Sequence, residues 1–211
     1  MNDWTAVDDP GTYGTAAGAM AVVGSPSLSG NALEFDTTYT YYGGERYYAS
    51  FAEDTSSSNF VYDGWVYLDG SSGSIANLEM DINQVMPNGE TVIFGFQCDG
   101  WNRTWDYTEN AGTPTAPVDH WVQSSAPCNV QTWAQNTWHH VQVSYSRDDD
   151  GNVTYESVWL DGNQQQINAT VPSAFALGWA PTDLTNFQVD SVVPGSSSST
   201  VYLDNLTISR W

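Results

Sequence analysis

Leu78-Glu79-Met80-Asp81-Ile82-Asn83 alternates apolar and polar side chains over six positions. A period of two is the period of a β-strand. Leu78, Met80 and Ile82 then face a packed core, while Glu79, Asp81 and Asn83 line the opposite face as an acidic, hydrogen-bonding stripe. Gln84, next in the chain, falls on the core side of this alternation. It joins the acidic stripe only through a bulge, a device that re-aims side chains beside active sites.

Outward from this stretch, short alternating runs bounded by Gly, Asp, Asn and Ser recur, and no run of ten or more residues holds a convincing helical period. Strands are expected at Ala32–Thr38, Arg46–Phe51, Phe60–Leu68, Asn77–Gln84, Val92–Cys98, His139–Ser146, Val153–Leu160, Asn186–Val189 and Val201–Ile208. Turn residues at Asp148–Asn152 and Asp161–Asn163 bracket one of them, so His139–Leu160 reads as a hairpin. The expectation is an all-β chain, a two-sheet antiparallel β-sandwich forming one domain over residues 1–211. Residues 99–137 carry Trp101, Trp105, Trp121 and Trp133 amid Gly, Pro, Asn and Thr with weak periodicity, and read as a long aromatic-rich loop region of the functional kind.

Composition narrows the partner. Four Lys+Arg, all arginine, stand against 25 Asp+Glu, a formal charge of −21. Such a chain has no basic patch with which to neutralise phosphates, which excludes nucleic acid and anionic membrane surfaces. A neutral or cationic partner is expected. No window holds 18 uninterrupted apolar residues, so no membrane span is expected. Cys98 ends a strand-like run and Cys128 lies in a Pro-containing loop; they are read as a disulfide, the alternative being two buried free thiols. Lysine-free, rich in Ser, Thr and Asn and carrying ten tryptophans, the chain fits a secreted, extracellular protein, monomeric and excised from a larger multidomain one.

Glu79-x-Asp81-x-x-Gln84 resembles the Glu-x-Asp-x-x-Glu signature of glycoside hydrolase families 7 and 16, which share the concanavalin A-like jelly roll. The resemblance implies Glu79 as nucleophile and Asp81 as its assistant, with Gln84 where the acid/base Glu should stand. An amide cannot protonate a leaving group, and losing general acid catalysis costs about 10² to 10⁴ in rate. A second resemblance covers the C-terminal third. Trp138-His139-His140-Val141, Val158-Trp159-Leu160-Asp161-Gly162 and Val201-Tyr202-Leu203-Asp204-Asn205 are similar to laminin-G-like and concanavalin A-like sandwiches, which implies a structural calcium ion on Asp204.

Sugars present C–H faces that stack on aromatic rings and hydroxyls that need fixed polar partners. The expected function is therefore a secreted carbohydrate-binding module that holds a neutral plant or microbial polysaccharide of β-glucan type in a concave, Trp-lined cleft. Glu79, Asp81, Gln84 and Gln97 would form its floor, and Trp101, Trp105, Trp121 and Trp133 its rim. The alternatives are an endo-acting, retaining glycoside hydrolase, in which Glu109, Asp119 or Glu156 replaces the missing acid, and a structural adhesion sandwich. No organic cofactor is expected, and the spacing of His120, His139 and His140 argues against zinc.

Overall fold

The computed structural model describes residues 3–211. Its strands, in chain order, are β1 (Trp4–Asp8), β2 (Thr15–Val23), β3 (Ala32–Thr40), β4 (Gly44–Phe51), β5 (Asn59–Leu68), β6 (Ile75–Val85), β7 (Thr91–Phe94) and β8 (Phe96–Asp99). They continue with β9 (Thr104–Asn110), β10 (Asp119–Pro127), β11 (Trp138–Arg147), β12 (Asn152–Leu160), β13 (Asn163–Pro172), β14 (Ala174–Phe175), β15 (Asp183–Ser191) and β16 (Ser197–Arg210). The only helices among the described residues are two three-residue 3₁₀ turns.

Two antiparallel sheets result. The first runs β1-β4-β15-β6-β8-β9-β10, with β7 also on β6 and β14 on β7; the second runs β13-β12-β11-β5-β16-β3-β2. The chain is a two-sheet β-sandwich, and each strand expected from the sequence has its counterpart. The β11–β12 hairpin pairs Val141 with Leu160 through Arg147 with Val153.

The alternation of β6 is realised as read. Leu78, Met80 and Ile82 are fully buried between the sheets, against Tyr62, Val66, Val143 and Tyr145 of the facing sheet. Fully burying each such apolar chain contributes about 1.5–3 kcal/mol. The core is rich in tyrosine, and most of its hydroxyls find acceptors. Tyr145 donates to the Met80 carbonyl at 2.9 Å, crossing from one sheet to the other, and Tyr155 donates to the Thr108 carbonyl at 3.0 Å.

The segment expected to be a long loop is mostly strand. β9 pairs with β8 and β10 with β9, widening the first sheet by a hairpin. Trp105 is fully buried, stacked on Phe96 at 5.2 Å with 16° between the rings, and Trp133, 8% exposed, packs 6.3 Å from it. Both were expected on a cleft rim. They are core residues instead, because on β9 the period of two sends Trp105 inward, and the turn after Cys128 folds Trp133 over it. Cys98 and Cys128 are bonded, their Cα atoms 5.4 Å apart, and so fasten this turn to β8.

Asp204 also has a structural setting. Its carboxylate accepts from Ser27 Oγ (2.9 Å), Leu28 N (2.6 Å), Ser29 N (3.1 Å), Ser29 Oγ (2.7 Å) and Asn205 N (2.7 Å). Burial opposes ionisation here, yet the Ser29, Leu28 and Ser27 donors outweigh it and hold the carboxyl at about 2. Calcium takes six to eight oxygen ligands. Both oxygens of Asp204 already receive N–H or O–H donors. The residues around Asp204 do not fit a calcium ion; they clamp the turn between β2 and β3 onto the last strand.

Candidate functional site

The outer face of the first sheet carries a cleft of about 1030 Å³. Strand register builds its floor in rows. One row crosses the sheet as Val7, Arg46, Gln188, Glu79, Gln97 and Asp106. The next places Tyr48, Asn186 and Asp81 side by side, with Thr108 and Trp121 beyond them on β9 and β10. A third sets Ser50, Leu184, Asn83 and Ile93 together. Asp9, Gly11 and Thr12 wall one side, and the turn Trp179–Thr182 walls another.

Between β7 and β8 the ladder on β6 is interrupted at Gly95. The Phe96 N–H turns to Asp81 Oδ1 at 3.1 Å, and the Gly95 N–H to Thr108 Oγ1 at 3.2 Å. A Cβ at position 95 would lie 2.6 Å from the Thr108 side chain, so this close passage requires glycine. The interruption frees the amide that positions Asp81. Asn186 Nδ2 donates to the other Asp81 oxygen at 3.0 Å.

One amide organises the acids. Gln188 Nε2 lies 2.8 Å from Glu79 Oε1, 3.1 Å from Asp9 Oδ2 and 3.1 Å from Asp190 Oδ1. Glu79, Asp81 and Asp190 are all buried. Burial first, and then neighbouring carboxylates, push Glu79 well above the ordinary carboxylate range. Burial likewise carries Asp81 to about 7 against the hydrogen bonds from Asn186 and Phe96, and takes Asp190 to about 7 with repulsion from Asp9 adding to it. The one cation lining the cleft is Arg46, its Nε 3.6 Å from Asp9 Oδ1. At neutral pH the floor therefore retains protons and offers both donors and acceptors.

Of the residues singled out in the sequence, Glu79, Asp81, Gln97 and Trp121 meet in this cleft. Gln84 does not. β6 pairs with β15 in unbroken register through Gln84, so no bulge turns it outward. It is fully buried on the other face, where Nε2 donates to the carbonyls of Asp54 (2.5 Å) and Ser57 (3.0 Å) and Oε1 accepts from Arg147 Nε at 2.6 Å. The glycosidase-like triplet is thus not assembled on one face. Glu156 is exposed on β12 of the other sheet, and Glu109 pairs with His120 at 2.9 Å; Asp119 alone of the three substitute acids lines the cleft. Glu79, pushed toward its protonated form, is poorly set to act as a nucleophile.

Trp101, 52% exposed, stands outside the cleft on the β8–β9 turn, 5.6 Å from Tyr42. Tyr41 and Tyr42 hold the β3–β4 turn at φ 43° and 62°, the left-handed region that bulky side chains enter at a cost. Asp9, Arg46, Asn186, Gln188, Asp190 and Trp179 are site residues that the sequence reading missed. The run Asn186-Phe187-Gln188-Val189-Asp190 repeats the alternation of β6 and carried the signal for three of them.

No protein-family model matches the sequence, and no curated protein matches it. Among solved structures the chain is similar to a cellulose-induced protein, Cip1, with TM-score 0.55 and 13% identity over 99% of this chain and 91% of that one. It is also similar to a structure described as one of the carbohydrate-binding modules from the β-sandwich superfamily, with TM-score 0.50 and 10% identity over 99% of this chain. It spans 58% of that second protein's length. At these identities the likeness is one of fold.

Proposed function

We propose that this protein is a secreted carbohydrate-binding module that holds a segment of polysaccharide in the cleft of its first sheet. The observation that carries the reading is the pairing of aromatic rings with a fixed polar floor. Trp121, Trp179 and Tyr48 line the same cleft as Glu79, Asp81, Asn83, Gln97, Asn186 and Gln188. Rings suit the C–H faces of sugars, and amides and protonated carboxyls suit their hydroxyls. The fold likeness to a carbohydrate-binding module supports the same reading. Acidic glycans are disfavoured by a floor with five carboxyl groups and one arginine, which leaves neutral chains, such as the β-glucan type expected from the sequence, or basic ones. An endo-acting retaining hydrolase would need an ionised nucleophile, whereas burial and its acidic neighbours hold Glu79 toward its protonated form, and of the substitute acids offered by the sequence only Asp119 lines this face.

Affinity electrophoresis in β-glucans, xylan, xyloglucan and partly deacetylated chitin tests the proposal. At least one glycan should retard the protein, and Trp121→Ala and Trp179→Ala should each weaken retardation about fivefold, the loss of one ring contact of about 1 kcal/mol. No reducing ends should accumulate. Retardation by none of the glycans overturns the proposal; turnover abolished by Glu79→Gln replaces it with the hydrolase.

A further inference from the structure

One amide at the floor of the cleft faces more acceptors than it can serve. The Gln188 amide has two hydrogens, and three carboxyl groups face its nitrogen: Glu79 at 2.8 Å, Asp9 at 3.1 Å and Asp190 at 3.1 Å. Asp81 and Asp119 line the same space, so five carboxyls meet a single cation, Arg46, whose nearest approach is 3.6 Å from its Nε to Asp9. An independent observation points the same way. Asn83, 6% exposed, lines this cleft, and its Oδ1 accepts from no group. A buried acceptor left unmatched costs about 1–3 kcal/mol, which a ligand bringing a donor recovers. Five carboxyls against one arginine leave a deficit of positive charge that an organic cation would fill. A primary ammonium group brings three N–H donors and one charge on a small centre.

We propose that the cleft selects a glycan bearing free amino groups, a chain of hexosamine units, over its N-acetylated and hydroxyl-only counterparts. The inference rests on the carbohydrate-binding reading and adds the chemistry of the ligand. The ammonium group sits among Glu79, Asp9 and Asp190, where Gln188 leaves one carboxyl unserved, while the ring faces meet Trp121 and Trp179. Arrival of the cation favours the ionised carboxylates, so protons held by the floor at neutral pH leave as the glycan binds. Uronic acid chains are rejected by the same charges.

Isothermal titration with hexasaccharides of glucosamine, N-acetylglucosamine and glucose tests this, run in two buffers of different ionisation enthalpy. The glucosamine chain should bind about tenfold or more tightly than the other two, the scale of one charge-assisted hydrogen bond. Its advantage should shrink with added salt, and its binding should release protons. Glu79→Gln and Asp190→Asn should each bring the ratio of affinities toward one. Asp119→Asn, at an exposed position, should reduce it too. Glu156→Gln on the other sheet should not. If the neutral chains bind as tightly as the amine, the inference falls and the carbohydrate reading stands. If no hexasaccharide binds, both fall. If spermidine competes as strongly as the glucosamine chain, the cleft is a general cation site and the selection of glycans is refuted.

Discussion

Raising the pH should destabilise this protein through the floor of its own cleft. Asp81 is 7% exposed, and its burial outweighs the hydrogen bonds from Asn186 and Phe96, lifting it from 3.8 to about 7. Between those two values the folded chain keeps a proton that the unfolded chain has released, so stability falls as pH rises through the window and levels off above it. The difference of about 3 in pKa corresponds to a loss on the order of 4 kcal/mol, of which about 3 kcal/mol lies between pH 5 and pH 8. For a domain of this size that is a melting temperature lower by roughly 5–10 °C at pH 8 than at pH 5. Asp190 and Glu79 are raised for the same reason and titrate together with Asp81, so their effects do not simply multiply the loss. Below pH 4 the trend should reverse, because Asp204, held at about 2, and Asp148, held low by Asn152, lose their contributions there. Thermal melts across pH 3–9 at constant ionic strength measure this directly. Glu79→Gln keeps the acceptor that Gln188 uses, and should flatten the slope between pH 5 and 8. A melting temperature that is level or rises over that interval would refute the reasoning.

Other perturbations separate structural from functional side chains. Gln84→Glu should not create a hydrolase; it removes the donor to the Asp54 and Ser57 carbonyls and sets a carboxylate against them, so melting should fall by roughly 5–10 °C, as for a loss of about 2–3 kcal/mol, with no reducing ends released. Reducing Cys98–Cys128, which spans 30 residues, should cost on the order of 4 kcal/mol in chain entropy and lower the melting temperature by about 10 °C. Asp204→Ala strands the donors of Ser27, Leu28 and Ser29 and should destabilise by about 2–3 kcal/mol in denaturant titration, whereas EDTA should leave the wild-type curve unmoved.

Local patterning told most about the fold. The alternation of Leu78 to Asn83 and the hairpin around Asp148–Asn152 are statements about neighbours in sequence, and the sandwich follows from them. What escaped was non-local or weakly patterned. β2, Thr15–Val23, is mostly small, four Ala and one Gly among its nine residues, with little contrast between its faces, and β13 carries Gln and Asn where strands usually carry β-branched residues. Trp105 was misplaced because Gly and Pro flanking the β9–β10 hairpin masked the alternation of β9. At the site, Glu79 and Asp81 were legible on one strand, but Asp9, Arg46 and Gln188 reach them only through pairing with β15 and β4, about 30 to 110 positions away along the chain. Gln84 shows the opposite error. A motif spacing suggested a shared face, while the plain period of two already assigned it to the other.

The most direct test of the cleft as the binding surface is amide hydrogen exchange with and without a saturating glycan. Binding in the cleft predicts added protection in β6, β15 and the Asp119–Trp121 end of β10, together with the Trp179–Thr182 turn, and none in β11 to β13 of the opposite sheet. Protection confined to that opposite sheet, or to the Trp101 and Tyr42 turns alone, would contradict it.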